Sequence, residues 1–140
     1  MDLQTFQQCL EGANSQNDHQ NEFNASLMRF HNECYGNFVS YSLETISNPP
    51  NPFILNLAIL TITQSVRSGK IFEIDEIVNK FSELFVQLFP AILQNQSIPY
   101  NIKISASMII SNLAIHHFQN AGNTLIQEFV LRLFESNPQH

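Results

Sequence analysis

Apolar residues recur every three or four positions along most of this chain, and this spacing restricts its fold more than any other feature. The clearest stretch consists of Ile74, Ile77, Val78, Phe81, Leu84, Phe85, Leu88, Phe89 and Ile92. Such spacing draws one apolar stripe along an α-helix, and the stripe must be covered by another surface. No segment alternates apolar and polar residues over a useful length, as a half-buried strand would. The sequence therefore predicts an all-α protein.

Capping and turn residues divide the first third of the chain into three predicted helices. Asp2 is a good N-cap for a first helix that reaches Glu11, and we expect Gly12 to end it in the left-handed conformation. The second helix, starting near residue 18, carries its stripe on Phe23, Leu27, Phe30 and Cys34. Gly36 is expected to break the helical register, and Asn37 to cap a third helix.

The proline-rich segment around Asn51 is the strongest stop signal in the sequence. Proline cannot donate a hydrogen bond in a helix interior but suits the first turn. Asn51 is therefore predicted to cap a fourth helix, with Pro52 as its first residue and its end near Val66. This helix is apolar on almost every side, so we expect both Leu57 and Leu60 to be buried.

Three more helices are predicted, and Gly, Pro and Ser residues separate them. The fifth runs from about Glu73 to Gln94, with Pro90 kinking or stopping it. The sixth covers about residues 101–118. Asn123 or Thr124 caps the last, whose stripe is formed by Leu125, Phe129, Val130 and Leu133.

These helices are predicted to pair into three antiparallel hairpins, preceded by the short first helix. The hairpins cover Asp18–Ser47, Pro52–Gln94 and Asn101–Glu135. Their spacing of about 40 residues is the period of HEAT-type repeats. We therefore expect an α-solenoid of HEAT-type helical hairpins, with residues 1–140 as a single domain.

Composition and charge argue against several classes of function. Hydrophobic residues make up 44% of the chain and the formal net charge is −6. The six basic residues are scattered, so no surface is expected to neutralise a run of phosphates, and nucleic-acid binding is not expected. The N-terminus lacks the basic and apolar regions of a signal peptide, and no apolar run is long enough to span a membrane. Cys9 and Cys34 are expected to be free thiols.

The side chains that could act in catalysis or bind a metal do not form a recognisable motif. We therefore expect that the protein is not an enzyme and has no cofactor and no metal site. His116 and His117 point about 100° apart on a helix and cannot chelate one metal, so one is expected near the core and the other in solvent. His31 and Cys34 share a face but lack further ligands. Acidic residues at the start of the fifth helix either complement the helix dipole or contact a partner.

Four segments resemble the N-terminal region of importin-β family nuclear transport receptors, the karyopherins, which include exportins. They are Asn21–Phe30, with Cys34–Phe38 following it, then Asn51–Leu60, and later Ser105–Phe118. The likeness lies in spacing and residue class: a short first helix, a turn into a Leu-rich helix, and an apolar helix that begins near Pro52. The tryptophan common in that family is absent, and Phe72 is the nearest substitute.

The resemblance implies a non-enzymatic, monomeric module that binds the GTP form of the Ran GTPase through its inner helices, while later repeats hold cargo protein in transport between cytoplasm and nucleus. The inner helices would be residues 37–47, 73–93 and 124–135. The partner-binding residues would be Glu44, Glu73, Glu76, Asn79, Lys80, Glu83, Gln127 and Glu128.

Two alternatives stay open. A free-standing HEAT or armadillo-like scaffold would bind an amphipathic helix from a partner unrelated to transport. A small ligand-binding bundle would need a sizeable internal cavity lined by phenylalanine.

Overall fold

A computed structural model describes residues 1–120, except for the side chain of Asn120. Six α-helices and one short 3₁₀ turn account for most of this range, which contains no β-strand. They are α1 (Leu3–Ala13), α2 (Gln20–Glu33), α3 (Tyr35–Ser47), α4 (Pro52–Ser68), the 3₁₀ turn (Lys70–Phe72), α5 (Asp75–Gln94) and α6 (Tyr100–Asn120). The all-α prediction is confirmed for residues 1–120, whereas the stacking of hairpins into a HEAT-type solenoid stays a prediction. The predicted last helix, after residue 122, lies outside the described residues.

The chain divides into two compact units, Met1–Ile62 and Thr63–His140. In the first unit, α1 packs against α2 and α3, and α2 packs against α3. Its centre is the fully buried ring of Phe6, whose centroid lies 5.9 Å from that of Phe30 and 5.7 Å from that of Phe38. Aromatic rings at these separations attract one another beyond the free energy of their burial. The short first helix therefore supplies the core residue around which α2 and α3 assemble.

Helix α1 begins as predicted and ends differently. The Thr5 backbone N–H donates to Asp2 Oδ1 at 2.8 Å, and this hydrogen bond lowers the pKa of the Asp2 carboxyl below its usual range. Gly12 does not stop the helix, because it lies within α1, which continues to Ala13. A Cβ atom at this position would overlap the Phe23 ring of α2. Glycine is thus needed here for the close approach of two helices, which the sequence pattern did not reveal.

The break between α2 and α3 falls at Cys34 and not at Gly36. Cys34 lies alone between the helices, with φ −134° and ψ 52°. Its N–H donates to the Phe30 carbonyl at 2.8 Å, and its carbonyl accepts from the Phe38 N–H at 2.9 Å, so the two helices share one terminal residue. Gly36 and Asn37 lie inside the first turn of α3. The predictions of a break at Gly36, an Asn37 cap and a helical Cys34 were wrong, and the Cys34 thiol is exposed.

Helix α4 begins as predicted, since the Ile54 N–H donates to Asn51 Oδ1 at 2.9 Å and Pro52 is its first residue. Leu57 is buried, with 9% of its surface exposed, but Leu60 is 39% exposed, so the prediction for Leu60 was wrong. Leu60 follows Phe53 by seven residues, which places both on the same side of the helix. Phe53 is also exposed, so α4 keeps one apolar side open.

The second unit is built on α5, which packs against α6 and the 3₁₀ turn. Gly69 directly follows α4 and adopts the left-handed conformation, with φ 81°, which glycine does at little cost. Pro90 lies inside α5, which continues to the predicted end at Gln94. Val78, Phe81, Phe85, Ile109 and Leu113 are fully buried in this unit. Within residues 1–120, no helix combines the length and apolar character needed to cross a membrane.

The two leucines of α4 provide a matched test of its burial pattern. We expect Leu57→Ala to lower the free energy of unfolding by about 2–5 kcal/mol, because it leaves a cavity in a closed core. Leu60→Ala is expected to cost less than about 1 kcal/mol, since its side chain already meets solvent. Urea unfolding followed by circular dichroism measures both values. Equal losses would contradict the assigned orientation of α4.

The close contact at Gly12 predicts that a substitution favourable to the helix itself lowers the stability of the protein. Gly12→Ala improves helix propensity by about 1 kcal/mol. We nevertheless expect it to destabilise the protein, because overpacking against the Phe23 ring costs about 1–3 kcal/mol. The same substitution in a Phe23→Leu background is expected to be neutral or stabilising, as the ring is gone. A Gly12→Ala protein more stable than the parent would refute the close approach.

Candidate functional site

The predicted partner-binding residues of α5 form one exposed row on that helix. Glu76, Asn79, Lys80 and Glu83 are all exposed, and their spacing of three, four and seven residues places them on the same side of the helix. We call these four residues the α5 polar row. The buried residues Val78, Phe81, Phe85, Val86, Phe89 and Ile92 occupy the other side. Because the apolar side of α5 is buried, the α5 polar row on the opposite side is turned towards solvent.

The start of α5 explains the acidic residues at one end of the row. Ile74 is the N-cap residue, with φ −124° and ψ 111°, and its side chain cannot supply a capping hydrogen bond. Asp75 and Glu76 lie in the first turn, where negative charge complements the helix dipole. Glu73 precedes them, is exposed, and donates its backbone N–H to the Lys70 carbonyl at 3.1 Å.

Charges alternate along the α5 polar row. Glu76 and Lys80 are separated by four residues with the acidic residue first, and Lys80 and Glu83 by three. Both spacings favour attraction on a helix surface, although exposed pairs of this kind contribute only about 0.3–0.5 kcal/mol. The row therefore offers a partner two carboxylates, one ammonium and one amide rather than a uniformly acidic patch.

The other predicted partner-binding residues are not part of this row. Glu44 lies on α3 in the first unit and is exposed. Gln127 and Glu128 lie outside the described residues. The structure thus brings together Glu76, Asn79, Lys80 and Glu83, whereas Glu73 lies before α5, at the end of the 3₁₀ turn.

A buried polar contact links α5 to α6, and sequence reasoning missed it. His117 is 2% exposed, and its Nε2 lies 2.8 Å from Ser82 Oγ. The Ser82 hydroxyl also lies 2.7 Å from the Val78 carbonyl, and when it donates there it accepts from His117 in the tautomer that carries its proton on Nε2. This buried pair joins α5 to α6 within the second unit.

The two adjacent histidines have the different environments that the sequence predicted. His117 follows Ile109, Ile110 and Leu113 on the buried stripe of α6, and its position there was the signal that could have identified it. His116 is partly exposed and stacks on Phe72, with ring centroids 4.6 Å apart. Burial lowers the pKa of His117, and the nearby His116 lowers it further.

His31 and Cys34 also take separate roles. The His31 ring meets Tyr35 and Phe38 edge-on, at centroid distances of 5.1 and 4.8 Å, while the Cys34 thiol is exposed. Among residues 1–120, no three His, Cys, Asp or Glu side chains are grouped closely enough to hold a metal ion.

Comparisons of this chain with known protein families, curated proteins and solved structures found no match.

Burial of His117 predicts how stability depends on pH. Its pKa in the folded state lies below the ordinary value of 6.5, so the unfolded chain takes up this proton first on acidification. The contribution of His117 to stability is therefore complete above pH 6.5 and decreases as the pH falls towards the pKa of the folded state. We expect urea midpoints to be lower near pH 5 than near pH 7.

His117→Gln is the matched variant for this test. Its amide can still donate to Ser82 but does not titrate in this range, whereas His19, His31, His116 and His140 are retained. The difference in urea midpoint between the two pH values should become smaller in this variant. An unchanged difference would show that His117 does not determine the pH response.

Proposed function

We propose that this chain is a non-catalytic protein-binding module, and that the α5 polar row is part of its binding surface. The observation that carries this proposal is the row itself: charged and amide side chains are exposed together on a helix whose other side is locked into a core. A surface on a rigid helix loses little conformational entropy on binding. Such a row suits recognition of another protein's polar surface.

The partner we propose is the Ran GTPase in its GTP form, with this chain acting as the N-terminal region of an importin-β-like transport receptor. The support for this choice is the resemblance of Asn21–Phe30, Asn51–Leu60 and Ser105–Phe118 to that family. Within that proposal, cargo protein binds to later repeats, and the receptor moves between cytoplasm and nucleus.

The α5 polar row is too small to form a complete protein interface by itself. A stable protein interface buries about 800 Å² on each partner, which is far more than four side chains of one helix provide. Additional contacts are therefore needed, and we propose that Glu44, Glu73, Gln127 and Glu128 contribute to them. The α5 polar row would act mainly on the rate and salt dependence of association, as exposed charges generally do.

The test measures association of the full chain with GTP-loaded and GDP-loaded Ran at several salt concentrations. We expect preferential binding of the GTP form, with an affinity that falls as salt rises. The double substitution Glu76→Lys and Glu83→Lys should slow association by roughly tenfold, the lower end of electrostatic steering effects.

A control variant distinguishes the effect of the α5 polar row from the effect of a change in net charge. Glu11→Lys with Glu33→Lys makes the same change in total charge, and both residues are exposed on helices of the first unit. This variant should slow association much less than the substitutions in the row. Equal binding of both nucleotide forms, or none, would refute the transport proposal and leave a scaffold for a partner helix as the remaining function.

A further inference from the structure

One side of α6 is hydrophobic and exposed, although the opposite side is buried in the second unit. Ile115 and Phe118 are 55% and 67% exposed, and Tyr100 and Ile104 are exposed on the same side, three to five turns earlier. The buried side carries Ile102, Ala106, Ile109, Leu113 and His117. We call the exposed side the outward face of α6. Four large hydrophobic side chains in one row are more than a helix surface that faces only water usually carries.

Small side chains occupy the middle of the outward face of α6. Ser107 and Ser111 are exposed there, between Ile104 and Ile115. Their hydroxyls donate to the carbonyls of Lys103 and Ser107, four residues earlier, at 3.0 and 3.2 Å. Because these hydroxyls already bond within the helix, an apolar partner can cover them without removing a hydrogen bond. The outward face is therefore suited to a dry contact with another helix that approaches most closely at its middle.

The order of large and small residues along this face is nearly the same in both directions. Ile104 lies towards one end, Ile115 and Phe118 lie at the other, and the serines lie between them. In an antiparallel pair of α6 helices that cross at Ser111, residues equally far from Ser111 face each other. Ile104 then meets Phe118 of the second copy, and Ile115 meets the small Ser107. The face is thus complementary to itself, as a two-fold symmetric interface requires.

Charge also permits two copies to meet at this face. The chain has a formal net charge of −6, so like-charge repulsion opposes contact between two copies. Residues 100–118 contain no Asp or Glu, so this contact brings no carboxylates together. Lys103 is the only Lys or Arg residue in α6. In the antiparallel pair the two Lys103 residues are about 24 Å apart along the helix axis, which is beyond the screening length of about 10 Å.

We propose that α6 is a self-association surface, on which a second copy of this chain binds with the two α6 helices antiparallel and crossing at Ser111. Symmetry favours this occupant, because a second copy brings the same small middle and large ends. One pair of helices buries less than the about 800 Å² per partner of a standard interface, so the dimer is weak and depends on protein concentration. It differs from the monomer that the resemblance implies. It does not depend on Ran binding, because it uses α6 and not the α5 polar row.

Sedimentation velocity of the full chain, over a roughly hundredfold range of protein concentration, tests this dimer. We expect the sedimentation coefficient to rise from that of a monomer towards that of a dimer. Ile115→Lys should move the midpoint of the rise to a concentration at least about tenfold higher, because two buried isoleucines are lost from the contact. Ile74→Lys is the matched control, since Ile74 is also an exposed isoleucine of the second unit but lies outside α6. It should leave the midpoint unchanged.

A second pair of variants tests the antiparallel register. Ile104→Glu and Phe118→Lys each place a charge against a hydrophobic residue at both ends of a homodimer, so each variant alone should associate more weakly than the parent. An equal mixture of the two should associate more strongly than either alone. One end of the mixed dimer keeps Ile104 against Phe118, and the other end pairs the introduced carboxylate with the introduced ammonium.

Three results would overturn the proposal. The first is a sedimentation coefficient that stays that of a monomer at every concentration. The second is an equal effect of Ile74→Lys and Ile115→Lys, or a mixture of Ile104→Glu and Phe118→Lys that associates no better than its components. The third is a lower urea midpoint for Ile115→Lys that does not depend on protein concentration, because the face would then be covered by another part of the same chain.

Discussion

The packing of α5 against α6 is the interaction on which the second unit depends. Phe81, Phe85, Ile109 and Leu113 are removed from water, and the hydrogen bond from His117 to Ser82 lies in the same unit. Apolar burial provides the larger part of the free energy but is not directional. The hydrogen bond is directional, because a buried imidazole that lost Ser82 would leave its Nε2 without this partner, whereas the Ser82 hydroxyl would keep its contact with the Val78 carbonyl. Together they fix the rotation of α5 about its axis.

That rotation determines which side chains of α5 a partner can reach. The stripe from Val78 to Ile92 faces inward, so the α5 polar row faces solvent. The candidate site is thus a consequence of core packing. The helix must nevertheless be held in place, and burial of neutral His117 makes this support sensitive to acid.

The proposed link to transport receptors depends on spacing and residue class, and these are properties that many helical arrays share. The geometry of the α5 polar row supports protein binding in general, whereas the choice of Ran depends on the resemblance. The distinction has a physical basis. A row of exposed charges fixes electrostatic preference, but specificity requires a complete complementary surface.

Local physical chemistry made much of the secondary structure predictable from the sequence alone. The 3.6-residue period of apolar residues indicated the helices. Asp2 and Asn51 marked where two of them start, because their side chains accept hydrogen bonds from backbone N–H groups that would otherwise be unpaired. The exposure of Glu76, Asn79, Lys80 and Glu83 followed from the same period.

Tertiary structure alone decided the features that depend on a second element. Gly12 serves the approach of the Phe23 ring and not a helix stop, and Leu60 differs from Leu57 because only one of them faces a neighbouring surface. The pairing of His117 with Ser82 joins residues that are 35 positions apart. No local pattern encodes such contacts, because they arise only when separate helices are brought together.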